Sequence, residues 1–225
     1  MSTLYVIGTP IGNLEDVTLR ALRILKEVDI ILCEDTRVTK RLLDEYEIIG
    51  KQLTTYNEER SGIKIEKIIE LLKEDKKIAL VSDAGTPGIS DPGMLLVQKI
   101  REALPDVKIE SVPGPSALTT ALSIAGIPIS EFVFLGFLPH KKGRETLFKE
   151  IAISERAMIF YESPHRILKT LESLQKFSSA KKVTIARELT KIHEEVKNGT
   201  PAELLEFFKN NLEKVRGEFV VIVTP

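Results

Sequence analysis

Three glycine- and proline-dense strings each follow a short run that reads as a strand. They are Gly8-Thr9-Pro10-Ile11-Gly12-Asn13 after Leu4-Tyr5-Val6-Ile7, Ser82-Asp83-Ala84-Gly85-Thr86-Pro87-Gly88 after Ile78-Ala79-Leu80-Val81, and Pro113-Gly114-Pro115-Ser116 after Lys108 to Val112. Glycine lets a backbone approach a ligand or take positive φ, and proline fixes the loop around it. In an open parallel sheet, loops at the carboxyl ends of strands line the crevice where ligands bind. Plain turns share this composition, so one string alone names no ligand; three in one half point to a shared cleft. Gly8-x-x-x-Gly12 departs from the dinucleotide pattern because residue 10 is proline, and no Gly-Lys-Ser/Thr follows it. Both facts count against NAD and ATP.

Polar side chains cluster at the same kind of position. Asp83 follows an apolar run, where a carboxylate can accept hydrogen bonds from a ribose or face a cationic centre; the plain alternative is a turn-forming residue. Glu34, Asp35 and Arg37 follow Ile30-Ile31-Leu32-Cys33, with a helix cap and a surface ion pair as the plain alternative. Tyr161-Glu162-Ser163-Pro164-His165-Arg166 reads as a helix start with Ser163 capping and Pro164 at the first position, or as an anion or RNA contact at a helix N-terminus. Arg187-Glu188-Leu189-Thr190-Lys191 follows another apolar run. Pro139-His140-Lys141-Lys142-Gly143-Arg144 is a compact basic loop, solvated by default, able to form a phosphate-contacting face if it meets Arg166, Arg187 and Lys191. His140, His165 and His193 lack metal-ligand spacing, so no metal is expected.

The elements that must position these groups alternate. Val17, Ala21, Ile24, Leu25 and Val28 recur at helical spacing behind the first loop, with Asp16 as the expected cap. Ile65, Ile68, Ile69 and Leu72 form a second stripe, and Leu96, Val97, Ile100 and Leu104 a third behind Asp91-Pro92, which has the form of a cap followed by a first-turn proline. A helix is expected from Ser116 to about Ala125. Continuous apolar strands alternating with helices predict an α/β domain with a mostly parallel sheet. The pattern pauses near Gly126-Ile127-Pro128, and the boundary divides the chain into domains 1–115 and 116–225. Strands are expected at Phe132 to Leu135, Ala157 to Tyr161, Val183 to Ala186 and Phe219 to Val223, with helices at Pro164 to Gln175 and Ala202 to Asn210. Asn198-Gly199 carries a hairpin signal, so the second sheet is expected to be mixed.

Composition excludes several classes. The 225 residues carry 32 Lys+Arg against 33 Asp+Glu, 43% hydrophobic and 29% charged residues, as in an ordinary globular protein. Balanced charge removes the crude electrostatic argument for a nucleic-acid partner, leaving room for a local basic face. Cys33 is the single cysteine, so no internal disulfide forms. No apolar run approaches the roughly 18–20 residues that span a bilayer, and Met1-Ser2-Thr3 lacks the basic start of a signal peptide. The expected compartment is a reducing cytoplasm.

In their order, the strings resemble the tetrapyrrole (corrin/porphyrin) methylase superfamily, and within it the bacterial branch that methylates small-subunit ribosomal RNA. The likeness rests on residues 4–14, Glu34-Asp35-Thr36-Arg37, the run from Ser82 to Gly93, Pro113 to Ala117, Gly136-Phe137-Leu138-Pro139, Tyr161 to Arg166, Arg187 to Lys191 and Gly217-Glu218-Phe219. The Asp-Ala-Gly-Thr-Pro and Tyr-Glu-Ser-Pro-His-Arg strings are the specific ones. The resemblance implies two α/β domains with S-adenosylmethionine in the cleft between them, and 2′-O-methylation of a cytidine in 16S ribosomal RNA by a homodimer. It implies that Pro10, Asp83, Gly85, Thr86, Ser116 and Ala117 line the cofactor site from the first domain, and Leu138 and Tyr161 from the second. Arg37, Arg166, Arg187 and Lys191 are expected to hold RNA phosphates or polarise the hydroxyl, with Glu34, Asp35 or Glu188 as base; Lys141, Lys142, Arg144 and His165 are expected on the RNA face. Many members carry a further helical segment after the Gly-Glu-Phe strand, whereas Pro225 lies just past it here, so the strength or the mode of RNA engagement is expected to differ. Rival readings are a tetrapyrrole or other small-molecule methylase of the superfamily, and a non-catalytic ligand-binding assembly module.

Overall fold

Apolar runs buried on both faces need helices above and below them, and the first unit supplies both. The computed structural model describes residues 2–57 and 62–225, so Met1, which entered the leader argument, lies outside them. The chain divides into two units, Met1–Ser116 and Ala117–Pro225. The first contains β1 (Thr3–Ile7), α1 (Leu19–Glu27), β2 (Ile30–Cys33), α2 (Thr36–Glu45), β3 (Gln52–Thr55), α3 (Ile65–Lys73), β4 (Lys77–Val81), α4 (Met94–Ala103) and β5 (Lys108–Val112). The sheet order is β3-β2-β4-β1-β5, and every pairing is parallel.

This order fixes where a ligand can bind. From β1 the chain moves outward to β2 and β3, then returns to insert β4 beside β1 and crosses to β5. Right-handed crossovers running in opposite directions place their helices on opposite faces. Accordingly Ala21, Ile24 and Leu25 of α1 share one core with Leu42 and Leu43 of α2. Ile68 and Leu72 of α3 share the other core with Leu96 and Ile100 of α4. β1 and β4 are neighbours whose following connections leave in opposite directions, so a crevice opens at their carboxyl ends.

The second unit contains α5 (Ala117–Ile124), β6 (Phe132–Phe137), α6 (Arg144–Ile153), β7 (Ala157–Glu162), α7 (Ile167–Phe177), β8 (Lys182–Arg187), β9 (Glu195–Gly199), α8 (Pro201–Asn210) and β10 (Phe219–Thr224). Its sheet is mixed, as expected. The order is β6-β7-β10-β8-β9, with β6 and β7 parallel and the other pairs antiparallel. A single core gathers Phe148, Ile167, Leu171, Phe208 and Phe219 on the helix-covered face.

Four local expectations are corrected. Asp16 does not cap α1: it ends a short 3-10 turn, Leu14–Asp16, Val17 and Thr18 are both extended, and the Thr18 hydroxyl accepts from Ala21 N at 3.1 Å. Asp91-Pro92 does not start α4; the helix begins at Met94 after Gly93, which turns the chain at φ 138° where a Cβ would come within 2.8 Å of Leu80. Ser163 and Pro164 form a turn before α7, because the Ser163 carbonyl accepts from both Arg166 N and Ile167 N and the helix opens at Ile167. Asn198-Gly199 makes no hairpin: both residues sit in β9, and Thr200 then caps α8 with a capping box to Glu203. The β8–β9 reversal falls instead near Glu188 and Thr190, both at positive φ.

Candidate active site

The carboxyl ends of β1, β4 and β5 bring the three strings together through backbone contacts. Thr9 N donates to Gly85 O at 2.8 Å and Gly85 N returns to Thr9 O at 3.1 Å. The buried Thr9 hydroxyl donates to Ser82 O at 3.1 Å, and Ser82 Oγ donates to Gly85 O at 3.2 Å. Gly8 N donates to Val112 O at 3.0 Å, joining the first string to the end of β5. Gly8 and Gly114 then touch: a Cβ on Gly114 would lie 2.6 Å from Gly8 O, so neither position admits a side chain. Thr86 Oγ1 donates to Pro115 O at 3.5 Å.

Beside this knot, at the β1–β4 switch point, lies a cavity of about 190 Å³. Pro10, Ile11, Leu14, Val38 and Leu42 make its walls apolar, and Asp83, Thr39 and Arg41 supply polar groups. Thr39 is buried on this lining. An apolar cavity with a few placed polar groups is the form of a small-molecule site.

Acids at the ends of β2 and β4 interlock along the rim. Asp35 N donates to Asp83 Oδ1 at 3.0 Å, and Asp83 N lies 3.4 Å from Glu34 Oε1. Asp35 caps α2 by accepting from Arg37 N at 2.8 Å, and it pairs with the Arg37 guanidinium at 2.5 Å. Those bonds hold the Asp35 carboxyl down to about 2. Glu34 goes the other way: partial burial raises it and the neighbouring Asp83 charge adds to the rise. Asp83 is raised by partial burial, opposed by the bond from Asp35 N.

At the polar end of the second sheet, charged residues face inward. Phe219 pairs with both Glu162 and Arg187, which places those two in one row across β10. Glu162 is fully buried and bonded to Arg166 Nε at 2.6 Å and to Thr170 Oγ1 at 2.6 Å. Arg144 lies against it at 3.5 Å. Arg187 is buried too, with Nε on Glu195 at 2.9 Å and Nη1 unpartnered. Lys214 completes that pair on Glu195 at 2.6 Å. Lys191 and Glu188 pair at 2.9 Å, and Glu188 packs so closely on Gly217 that a Cβ there would overlap it.

The expected site residues therefore distribute unevenly. Pro10 and Asp83 line the cavity, and Gly85 and Thr86 belong to the knot beside it. Glu34 and Arg37 stand on the rim at the end of β2 and the start of α2. Ser116 ends the first unit, and Ala117 opens α5 of the second. Leu138 is buried after β6, and Tyr161 is half-buried with its ring 4.9 Å from that of Phe134. Lys141, Lys142 and His165 are exposed, whereas Arg144, Arg166 and Arg187 are turned inward onto carboxylates. Thr39 and Arg41 escaped the sequence reading because α2 has only a narrow apolar stripe. Its signal was Thr39 placed three and four residues before Leu42 and Leu43. Among the described residues, no group of three or more His, Cys, Asp or Glu could hold a metal ion.

A doubly wound parallel sheet with its crevice at the switch point, followed by a mixed α/β unit, defines a two-unit α/β protein with a small-molecule site. The family described as Tetrapyrrole (Corrin/Porphyrin) Methylases matches residues 3–205. The chain belongs to that family, and within it to the group of ribosomal RNA small subunit methyltransferase I proteins. It is 47% identical to the protein of that name from Thermotoga maritima over 225 residues, covering 100% of this chain and 99% of that one. It is 45% identical to the one from Escherichia coli O157:H7, covering 98% of this chain and 77% of that one. Among solved structures, uroporphyrin-III-C-methyltransferase from Thermus thermophilus superposes with a TM-score of 0.68 at 19% identity, covering 99% and 94% of the two chains. A cobalt precorrin-4 methyltransferase gives 0.63 at 19% identity, covering 99% and 94%. These two likenesses speak for the fold.

Proposed function

We propose that this chain transfers a methyl group from S-adenosylmethionine to the 2′-hydroxyl of a cytidine in 16S ribosomal RNA of the small subunit. The observation that carries the reading is the cavity beside Asp83 at the β1–β4 switch point, in a chain whose full-length relatives are named as ribosomal RNA methyltransferases. The residues present fit such a donor. Apolar walls at Pro10, Ile11 and Val38 suit a base or a methylene chain, and the Asp83 carboxylate suits its polar groups. Gly85, Thr86, Ser116, Ala117, Leu138 and Tyr161 complete the set proposed to contact it. When bound, the donor supplies a methyl already activated on a positive sulfur.

The chain's own residues then have to orient and to accept a proton. Of the three carboxylates proposed as base, Asp35 is the poorest acceptor, because Arg37 holds it near 2. Glu188 is occupied by Lys191. Glu34 is raised by burial and by Asp83, which moves it toward the range where a general base is effective. Glu34 accepts the ribose hydroxyl proton, and the solvent-facing Arg37 meets an adjacent phosphate. Lys141, Lys142, His165 and Lys191 add exposed contacts to RNA. The reading includes a homodimer in the cytoplasm; no helix among the described residues is long and apolar enough to cross a membrane.

The test is turnover of methyl-labelled S-adenosylmethionine with purified small ribosomal subunits and, in parallel, a tetrapyrrole acceptor. Label on a cytidine ribose supports the proposal. Label on the tetrapyrrole, or on a base, contradicts it.

A further inference from the structure

Helix α2 buries Thr39, Leu42 and Leu43 on one side. On the other, Arg37, Lys40, Arg41, Asp44 and Glu45 recur at the spacing of a single helix face. These five residues line an open groove of about 480 Å³. Arg41 also lines the cavity beside Asp83, so the groove and the cavity share a wall within the first unit.

The three cations of the groove are turned to solvent. The Arg37 side chain is 89% exposed and that of Lys40 is 65% exposed, and Arg41 is exposed as well. Asp35 accepts from Arg37 Nε at 3.0 Å and from Nη2 at 2.5 Å, which leaves Nη1 open. Lys40 Nζ meets Asp44 at 2.7 Å, an exposed pair of the kind that contributes little and exchanges readily. Among the described residues, the Arg41 guanidinium has no hydrogen-bond or ion-pair partner.

The charges are also ordered along the helix. Arg37, Lys40 and Arg41 occupy the turns next to the rim, and Asp44 and Glu45 follow at the far end. A rise of 1.5 Å per residue sets Arg41 roughly 6 Å beyond Arg37 along the axis. A row of cations suits an anion whose charge repeats along a chain. Every residue lining the groove is charged, so the apolar and aromatic anchors that a protein interface gathers at its centre are missing from it.

We propose that the groove along α2 is a phosphate track: Lys40 and Arg41 join Arg37 in holding successive phosphates of the RNA strand that enters the crevice. Lys40 exchanges Asp44 for a phosphate, and Asp44 and Glu45 end the track. The inference rests on the reading that the substrate is RNA, and it assigns the RNA strand to a face of the first unit.

The test follows the salt dependence of binding by the full chain to two probes, purified small ribosomal subunits and a labelled oligocytidylate. In Lys40→Gln and in Arg41→Gln, the slope of log affinity against log salt is expected to fall by about one, with binding about five- to tenfold weaker at about 0.1 M salt. S-adenosylmethionine affinity in Lys40→Gln is expected to equal that of the wild type, because Lys40 lines the groove and not the cavity. Asp44→Asn, which releases Lys40, is expected to bind both probes about two- to fivefold more tightly. Unchanged slopes in both cation variants overturn the proposal, and so does weaker binding in Asp44→Asn. Loss of subunit binding with oligocytidylate binding intact makes this face of α2 a contact to a subunit protein and overturns it too. A wild-type chain that binds the oligonucleotide through these cations but methylates no subunit RNA contradicts the proposed function and leaves the track standing. A wild-type chain that binds neither probe contradicts the track.

Discussion

At the polar end of the first unit the backbone does the holding, through the Thr9–Gly85 bridge and the contact of Gly8 with Gly114. At the polar end of the second, side chains do it, through Glu162 with its two arginines and Glu195 with Arg187 and Lys214. The difference has a consequence for chemistry. Loops tied by their own amides leave Asp83 on the cavity lining beside Thr39 of α2, with Glu34 next to Asp83 on the rim. A unit that ties its loops with arginines has used those cations already, and charge density in its sequence overstates what it offers to RNA.

The largest expected effect is in the side-chain-built end. Glu162→Ala leaves two largely buried guanidinium groups uncompensated, and chemical denaturation should show a loss of about 3–5 kcal/mol. A loss below about 1 kcal/mol would mean the cations relax into solvent, and the contrast between the units would collapse. In the backbone-built end, Gly114→Ala drives a Cβ into Gly8 O and should cost about 2–3 kcal/mol in the same experiment. Gly143→Ala is the control: at φ 83° with open space around it, only backbone strain of about 1 kcal/mol is expected. Thr9→Val removes the hydroxyl that ties Ser82 and Gly85, for about 1–2 kcal/mol. Smaller again is the helix start: Thr18→Ala should cost about 1 kcal/mol, and Asp16→Ala distinctly less, since Asp16 makes no cap bond.

The smallest effect is electrostatic. Asp35 should titrate near 2 by NMR, and in Arg37→Ala return toward its ordinary 3.8. Its folded value lies below its unfolded one. The cap it makes on α2 is therefore at full strength above about pH 4 and is lost as pH falls through about 2. Glu34 and Asp83 have the opposite sign. Raised in the folded chain, they favour folding while protonated, and that contribution fades as pH rises through their elevated values. A titration of Asp35 at its ordinary value in the wild-type chain would remove the Arg37 pairing from the account.

How much of this was legible depended on which material held each part. The knot was readable because glycine and proline mark constrained backbone directly, and the apolar runs Leu4 to Ile7 and Ile78 to Val81 before two of its strings read as strands. α2 and β3 were harder. The α2 sequence, Thr36 to Glu45, is polar on three sides and buries little beyond Thr39, Leu42 and Leu43, while Gln52 to Thr55 is a short edge strand without an apolar run. The arginines of the second unit misled for a related reason. Arg144, Arg166 and Arg187 look like a basic surface in one dimension, and only folding reveals the carboxylates Glu162 and Glu195 opposite them. Caps were displaced by two or three residues because a polar residue before a helix signals a turn there without fixing where the helix opens.

The claim that underlies the rest is that the crevice beside Asp83 takes the methyl donor. Calorimetric titration of S-adenosylmethionine into the wild-type chain and into Asp83→Ala tests it directly. The account predicts one binding event per wild-type chain and affinity weaker by about tenfold or more in the variant, with both proteins folded. Equal affinities in two folded proteins would place the donor elsewhere and contradict the account.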